Sequence, residues 1–171
     1  QYSLSRPLGI VGLIIGWDMP LTNLCEQIAT ALSAGNAVLA KVSELAPASV
    51  TLLAEILNEA GVPHGIVNII FGEGKIAGAA LCAHPDIAAI SYSGCHDDAK
   101  KVLLAANGKK ILLHSRRNAL AIIYAQANIA DAALACVRSG LQSNWGATNR
   151  IAHIFVEEKV LSTKKEKMHS Y

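Results

Sequence analysis

Hydrophobic positions in the early part of the chain follow two rhythms that take turns. Leu8–Ile15 is an unbroken apolar run rich in Ile and Val, the composition of a strand buried on both faces. Gly16-Trp17-Asp18-Met19-Pro20 ends the run, and Pro20 suits the first turn of a helix. Leu21, Leu24, Cys25, Ile28, Ala31 and Leu32 then recur at spacings of three and four, which predicts a helix over Leu21–Leu32 with one buried face. Gly35-Asn36 stops it, and Ala37–Lys41 is a second apolar strand. Two buried strands joined by one helix are most simply parallel and connected right-handedly. Trp17, Asp18, Lys41, Ser43 and Glu44 then stand just past the strand ends, at the edge where such sheets take ligands.

The same alternation continues. Leu52, Leu53, Ile56 and Leu57 mark a second amphipathic helix, with Gly61 at its stop and Pro63 beyond. Gly65–Phe71 reads as a third buried strand, and Gly72-Glu73-Gly74-Lys75 leads into a helix over Ile76–Ala83. Ile87–Ser91 is a fourth strand, Ser93-Gly94-Cys95 turns into a helix over His96–Ala106, and Lys110–Leu113 is a fifth strand. This order predicts an α/β fold: an open, mostly parallel, Rossmann-like sheet with helices on both faces, over residues 1–113. From His114 the rhythm changes to a polar break, a short strand at Leu120–Tyr124, a helix at Ile129–Leu141, a loop at Gln142–Arg150 and a strand at Ile151–Val156. Residues 114–171 therefore read as a stretch apart from that sheet, ending in a basic tail.

Composition narrows the class. Of 171 residues, 52% are hydrophobic and 16% charged, which excludes a disordered chain. No apolar run is long enough to span a bilayer without a Gly, Pro or charge interrupting it. A formal charge of +2 is too balanced for a nucleic-acid binder, and the terminal KKEKMHSY reads as a solvated end. The chain starts at Gln1 with neither Met nor a signal-peptide pattern, as a fragment or processed product would. Cys25, Cys82, Cys95 and Cys136 include no CxxC pair, and Cys25 and Cys136 fall on apolar helix faces as small buried hydrophobes. Reduced thiols fit a cytoplasmic setting. His64, His84, His96, His153 and His169 have no ligand spacing, so no metal site is expected.

Three stretches carry candidate chemistry. Gly72-x-Gly74-x-x-x-Gly78 follows a strand and opens a helix, one residue longer than the dinucleotide fingerprint; a tight turn that needs glycine explains it equally well. Lys41 and Glu44 can hydrogen-bond the two hydroxyls of a ribose, or form a surface ion pair. Ser93-Gly94-Cys95 at a helix N-terminus can hold a phosphate through backbone N–H groups. Asp97 and Asp98 behind it suit the helix dipole without any ligand.

Taken in order, IIGWDMPL and its helix, AGNAVLAKVSE, GVPHGIVNIIFGEGKIAGAAL and ISYSGC resemble the aldehyde dehydrogenase superfamily, to about Glu157. The first two parallel the family's P-W-N-x-P turn and its G-N-x-V-x-x-K-P-x-E strand. The resemblance implies a cofactor domain with NAD as cofactor, followed over residues 114–171 by an incomplete second α/β domain, the truncated start of a catalytic domain, which would lean on the first domain or on another chain, or present open edges and apolar surface. It implies that Ile15, Gly16 and Trp17 form the turn after the first strand, and that Lys41 and Glu44 contact the adenosine ribose. Gly74, Lys75 and Gly78 would lie beside the adenine ring, and Ser93, Gly94 and Cys95 would stand for the family's T-G-S at the pyrophosphate. A carboxylate at Glu44 disfavours a 2′-phosphate, so NAD is expected over NADP. Val42 replaces the usual proline and Cys95 a serine.

The family oxidises aldehydes through a cysteine thiolate, with a Glu general base and an Asn amide for the oxyanion. The resemblance places Thr148, His114 and Asp18 at those three positions. A threonine hydroxyl is almost un-ionised at neutral pH, and a carboxylate at Asp18 repels the charge an amide would stabilise. Arg116 and Arg117 stand where the general-base motif has glycines. These departures imply a catalytically inactive pseudoenzyme with residual NAD binding and a structural or regulatory role through other protein chains, as an oligomer. On this view Gln142–Arg150 is mobile or held by a partner. The alternative is NAD-dependent oxidation of an aldehyde to a carboxylic acid with the thiol supplied from elsewhere. Two further readings are an anion-binding module at Arg116 and Arg117, and an Asp18–His114–Thr148 triad, for which substitution drift is the simpler account.

Overall fold

A computed structural model of the chain describes residues 2–116, 119–141 and 151–160. Arg117, Asn118, Thr148 and the loop Gln142–Arg150 lie outside the described residues. The chain divides into two compact units, Gln1–Ser115 and Arg116–Tyr171.

The first unit is built on β1 (Ile10–Ile15), α1 (Pro20–Ser33), β2 (Ala37–Val42), α2 (Pro47–Glu59) and β3 (Val67–Phe71). A π-helical turn at Gly74–Gly78 then runs into α3 (Ala79–Ala83), β4 (Ile87–Cys95), α4 (His96–Ala105) and β5 (Lys110–Arg116). The five strands form one sheet in the order β3-β2-β1-β4-β5. The β1–β2, β1–β4 and β2–β3 pairs all run parallel. Strand order reverses between β1 and β4, so the connections that leave their carboxyl ends diverge at a switch point.

β1 feeds both faces of the sheet because its side chains alternate. Val11, Leu13 and Ile15 pack with Leu24, Ile28 and Ala31 of α1 and Val50 of α2. Ile14 points the other way, into a cluster with Leu81, Cys82, Ile90, Tyr92 and Val102. Gly12 shares that second face, and a Cβ there would sit 2.8 Å from Ile90 Cδ1 and 3.1 Å from Ile87 Cγ2. A β-bulge between Ile10 and Val11 skips one residue of β4, which is how Ile87 and Ile90 reach the same cluster. The buried Asn36 staples the start of the unit to α1. Its Oδ1 accepts from the N–H groups of Leu8 and Gly9 at 2.6 and 3.1 Å, and its Nδ2 donates to Ala31 O at 3.2 Å.

Several expectations shift. β3 is an edge strand rather than a buried one: Val67 and Ile69 pack against the core, while Ile70 and Phe71 are exposed. β4 runs on to Cys95, and β5 continues through His114 and Ser115 to Arg116, where a polar break was expected. An edge strand keeps its ladder on one side and tolerates polar side chains on the open one. Cys25 is exposed, because α1 buries the stripe of Asn23, Leu24, Gln27, Ile28 and Ala31 and Cys25 sits beside it; Cys136 is buried.

The second unit holds β6 (Ala119–Ile123), α5 (Ile129–Leu141) and β7 (Ile151–Val156), with β6 and β7 paired in parallel. Asn128 Oδ1 caps α5 by accepting from the Ala130 and Asp131 N–H groups at 3.1 and 3.4 Å. Glu157 Oε2 accepts from Ala125 N–H at 2.7 Å. Leu120, Ile122 and Phe155 are exposed on the paired strands. Among the described residues no helix is long and apolar enough to cross a membrane, and no cluster of His, Cys, Asp and Glu could hold a metal ion.

Candidate functional site

At this switch point a crevice of about 600 Å³ lies at the carboxyl ends of the strands. Two backbone bonds stitch its floor: Gly16 N–H donates to Ser93 O at 2.8 Å, and Ser43 N–H to Ile15 O at 3.1 Å. These join the ends of β4, β1 and β2. The turn that follows β1 is strained, since Met19 has φ 49° and is the only non-glycine residue with positive φ among those described. Pro20 disfavours the right-handed helical conformation at the residue before it, and the left-handed one that Met19 takes instead costs about 1–2 kcal/mol.

Ile15, Gly16, Trp17, Lys41, Glu44, Gly74, Lys75 and Gly78 all line this crevice. Lys41 is 5% exposed, and its Nζ lies 3.8 Å from Glu44 Oε2. That separation is too long for a hydrogen bond, so the two groups attract without spending their donors and acceptors on each other. An ammonium is costly to bury, and here it is held at the end of a central strand with its head turned to the crevice. The pair offers a donor and an acceptor side by side, which is what a vicinal diol takes.

The glycine-rich turn forms the facing wall, and it works differently from a phosphate loop. Only Gly72 has a positive φ, +150°, whereas Gly74 and Gly78 have ordinary backbones. A Cβ at either would meet nothing within 4 Å. Their missing side chains leave space rather than permit a bend. Glu73 Oε2 and Lys75 Nζ pair at 3.0 Å on the exposed rim.

Ser93 and Gly94 are the last residues of β4 before Cys95, which precedes α4. None of the three lines the crevice directly, but Cys95 is tied to residues that do. Its thiol donates to Asp98 Oδ2 at 3.1 Å, and its carbonyl accepts from Tyr92 O–H at 2.8 Å. Lys101 Nζ donates to Asp98 Oδ1 at 2.7 Å. The bonds from Lys101 and Cys95 hold the Asp98 carboxyl below its usual range, while burial and the neighbouring Cys95 and Asp98 push the Tyr92 phenol up. Burial also raises the Cys82 thiol, so that wall stays neutral.

Tyr92, Cys82 and Lys101 therefore belong to the site although the sequence assigned them no part in it, and so does Asp98, which the sequence marked only as a helix-dipole residue near any bound phosphate. The one available signal was the i,i+3 spacing of Asp98 and Lys101 on a helix. Asp18 sits in the turn after β1, where its carbonyl accepts from Asn23 Nδ2 at 2.8 Å; it does not line the crevice. His114 is exposed on β5 and lines a different depression, over β4 and β5 beside α1.

A parallel sheet of order 3-2-1-4-5 with its crevice at the switch point defines the doubly wound α/β class. Within it the chain belongs to the aldehyde dehydrogenase family, whose model matches residues 1–171. The human 2-aminomuconic semialdehyde dehydrogenase is 38% identical over 164 residues, covering 95% of this chain and 34% of that protein. The crystal structure of an aldehyde dehydrogenase from Bartonella henselae superposes with a TM-score of 0.91 at 33% identity, over 96% of this chain and 35% of that one. A betaine aldehyde dehydrogenase from Staphylococcus aureus, solved in complex with NAD+, gives 0.89 at 25% identity over 95% and 33%. The chain thus spans about a third of the length of the relatives it matches.

Proposed function

We propose that this chain binds NAD in the crevice between the ends of β1, β2 and β4, as the cofactor-binding part of an aldehyde-dehydrogenase-like protein. The carrying observation is Lys41, a buried ammonium 3.8 Å from Glu44 with both heads on the crevice. Lys41 donates to and Glu44 accepts from the adenosine ribose hydroxyls, and Gly74 and Gly78 leave room beside them. Glu44 would repel a 2′-phosphate, which selects NAD over NADP. When bound, NAD supplies a hydride acceptor.

The same reading makes the chain inactive toward aldehydes. A carboxylate at Asp18 opposes negative charge on a substrate oxygen, and a Thr148 hydroxyl is no substitute for a thiolate. A structural or regulatory role through other chains then remains, and the exposed Leu120, Ile122 and Phe155 suit such packing.

Calorimetric titration with NAD tests the first part. Saturable binding should weaken about a hundredfold or more in Lys41→Ala/Glu44→Ala, since two hydrogen bonds to charged groups are lost. Absence of binding to the folded chain, or binding indifferent to the double substitution, would overturn it. Aldehyde-dependent reduction of NAD would overturn the inactive reading and favour oxidation with a thiol supplied from elsewhere.

A further inference from the structure

Beyond the Lys41–Glu44 corner the crevice continues as a slot between the π-helical turn with α3 on one side and α4 on the other. Its walls are small and apolar: Gly78, Ala79 and Cys82 face Val102 and Ala105. With Cys82 kept neutral by burial, the slot interior offers contact area and little hydrogen bonding. Polarity returns at the α4 rim, where Asp98 and Lys101 stand one helical turn apart. A ligand that fits has a flat apolar body and one hydrogen-bonding edge, the description of a heteroaromatic base.

The rim is organised in advance. Asp98 accepts from Lys101 at 2.7 Å and from Cys95 at 3.1 Å, and Cys95 is itself fixed by the Tyr92 O–H bond to its carbonyl. A carboxylate has about four acceptor sites, so two remain for a ligand. Lys101 keeps two of its three N–H groups. The rim therefore presents an acceptor beside a donor. Adenine carries the complement, an exocyclic amine next to a ring nitrogen.

We propose that Asp98 and Lys101 read the base edge of the cofactor, with Asp98 accepting from the exocyclic amine of adenine and Lys101 donating to the adjacent ring nitrogen. This rests on the crevice binding NAD and adds a selectivity for the base. The ion pair is the means of recognition, since it holds an acceptor and a donor side by side at the mouth of the slot.

The test compares NAD with its deaminated analogue, in which the exocyclic amine of the base is replaced by oxygen. The chain should bind NAD about tenfold more tightly than the analogue, the scale of one hydrogen bond to a charged group. Asp98→Ala should abolish that preference by weakening NAD alone, and Asp98→Asn, which keeps the side-chain volume, should reduce it. Equal affinity of the unaltered chain for the two dinucleotides, or a preference that survives in Asp98→Ala, would overturn the proposal. In either case NAD binding sensitive to Lys41→Ala/Glu44→Ala leaves the cofactor reading standing. If NAD does not bind at all, both fall together.

Discussion

The first unit carries two depressions of similar size, and they are built in opposite ways. The crevice at the strand ends holds about 600 Å³ and the groove over β4 and β5 about 510 Å³. In the crevice three lysines each face a carboxylate, Lys41 with Glu44, Lys75 with Glu73 and Lys101 with Asp98. In the groove two buried polar atoms, Gln27 Oε1 and Ser91 Oγ, have no hydrogen-bond partner among the described residues. The groove follows from topology. Right-handed crossovers place α1 and α2 over β1, β2 and β3 on that face, while α3 and α4 pack on the other. Leu112 lines the groove and is 55% exposed. Volume alone does not set the two apart; the paired charges around the crevice do.

The sharpest way to break this contrast is to fill the crevice. Gly78 has a helical φ of −65° and open space where a side chain would project, so Gly78→Leu should fold normally. Its side chain would occupy the slot and lower NAD affinity about a hundredfold, roughly 2.7 kcal/mol, by titration. Normal binding in that variant would mean the slot is not the site.

The groove should respond in stability instead of binding. Asn36 is a buried polar side chain of the groove whose three hydrogen bonds join the start of the unit to α1. Asn36→Ala removes its three side-chain hydrogen bonds, two of them from the N–H groups of the exposed Leu8 and Gly9, and should cost about 1–2 kcal/mol in denaturant unfolding, with NAD affinity unchanged. A smaller effect of opposite sign is expected at Ser91. Removing its unpartnered hydroxyl with Ser91→Ala should raise stability by about 1 kcal/mol, a rise in Tm of roughly 2–4 °C. A loss there would show that the hydroxyl has a role of its own.

Much of this was legible in the chain, for reasons that also mark where legibility ends. The runs around Leu13, Val38 and Ile90 announced strands buried on both faces, and the spacing of Leu24, Ile28 and Ala31 announced the face of α1. GIVNIIF looked the same, yet β3 lies at an edge, because an apolar run says nothing about how many neighbours the strand has. The polar residues His114, Ser115 and Arg116 hid the end of β5 for the converse reason. At the site, Lys41 and Glu44 were readable because they directly follow a central strand. Cys82, Tyr92 and Lys101 were not: they reach the crevice only when α3 and α4 pack on the far face of the sheet, and that pairing leaves no mark in local spacing.

The bond from Gly16 N–H to Ser93 O also has a use in amide exchange. It crosses the switch point itself, joining strands that belong to opposite halves of the sheet. The Gly16 amide can meet solvent deuterium only when that junction opens, so its protection measures the opening of the crevice floor rather than the fraying of either half. A single proton thus serves as an internal clock for the cleft, readable with no substrate, no turnover and no label other than heavy water.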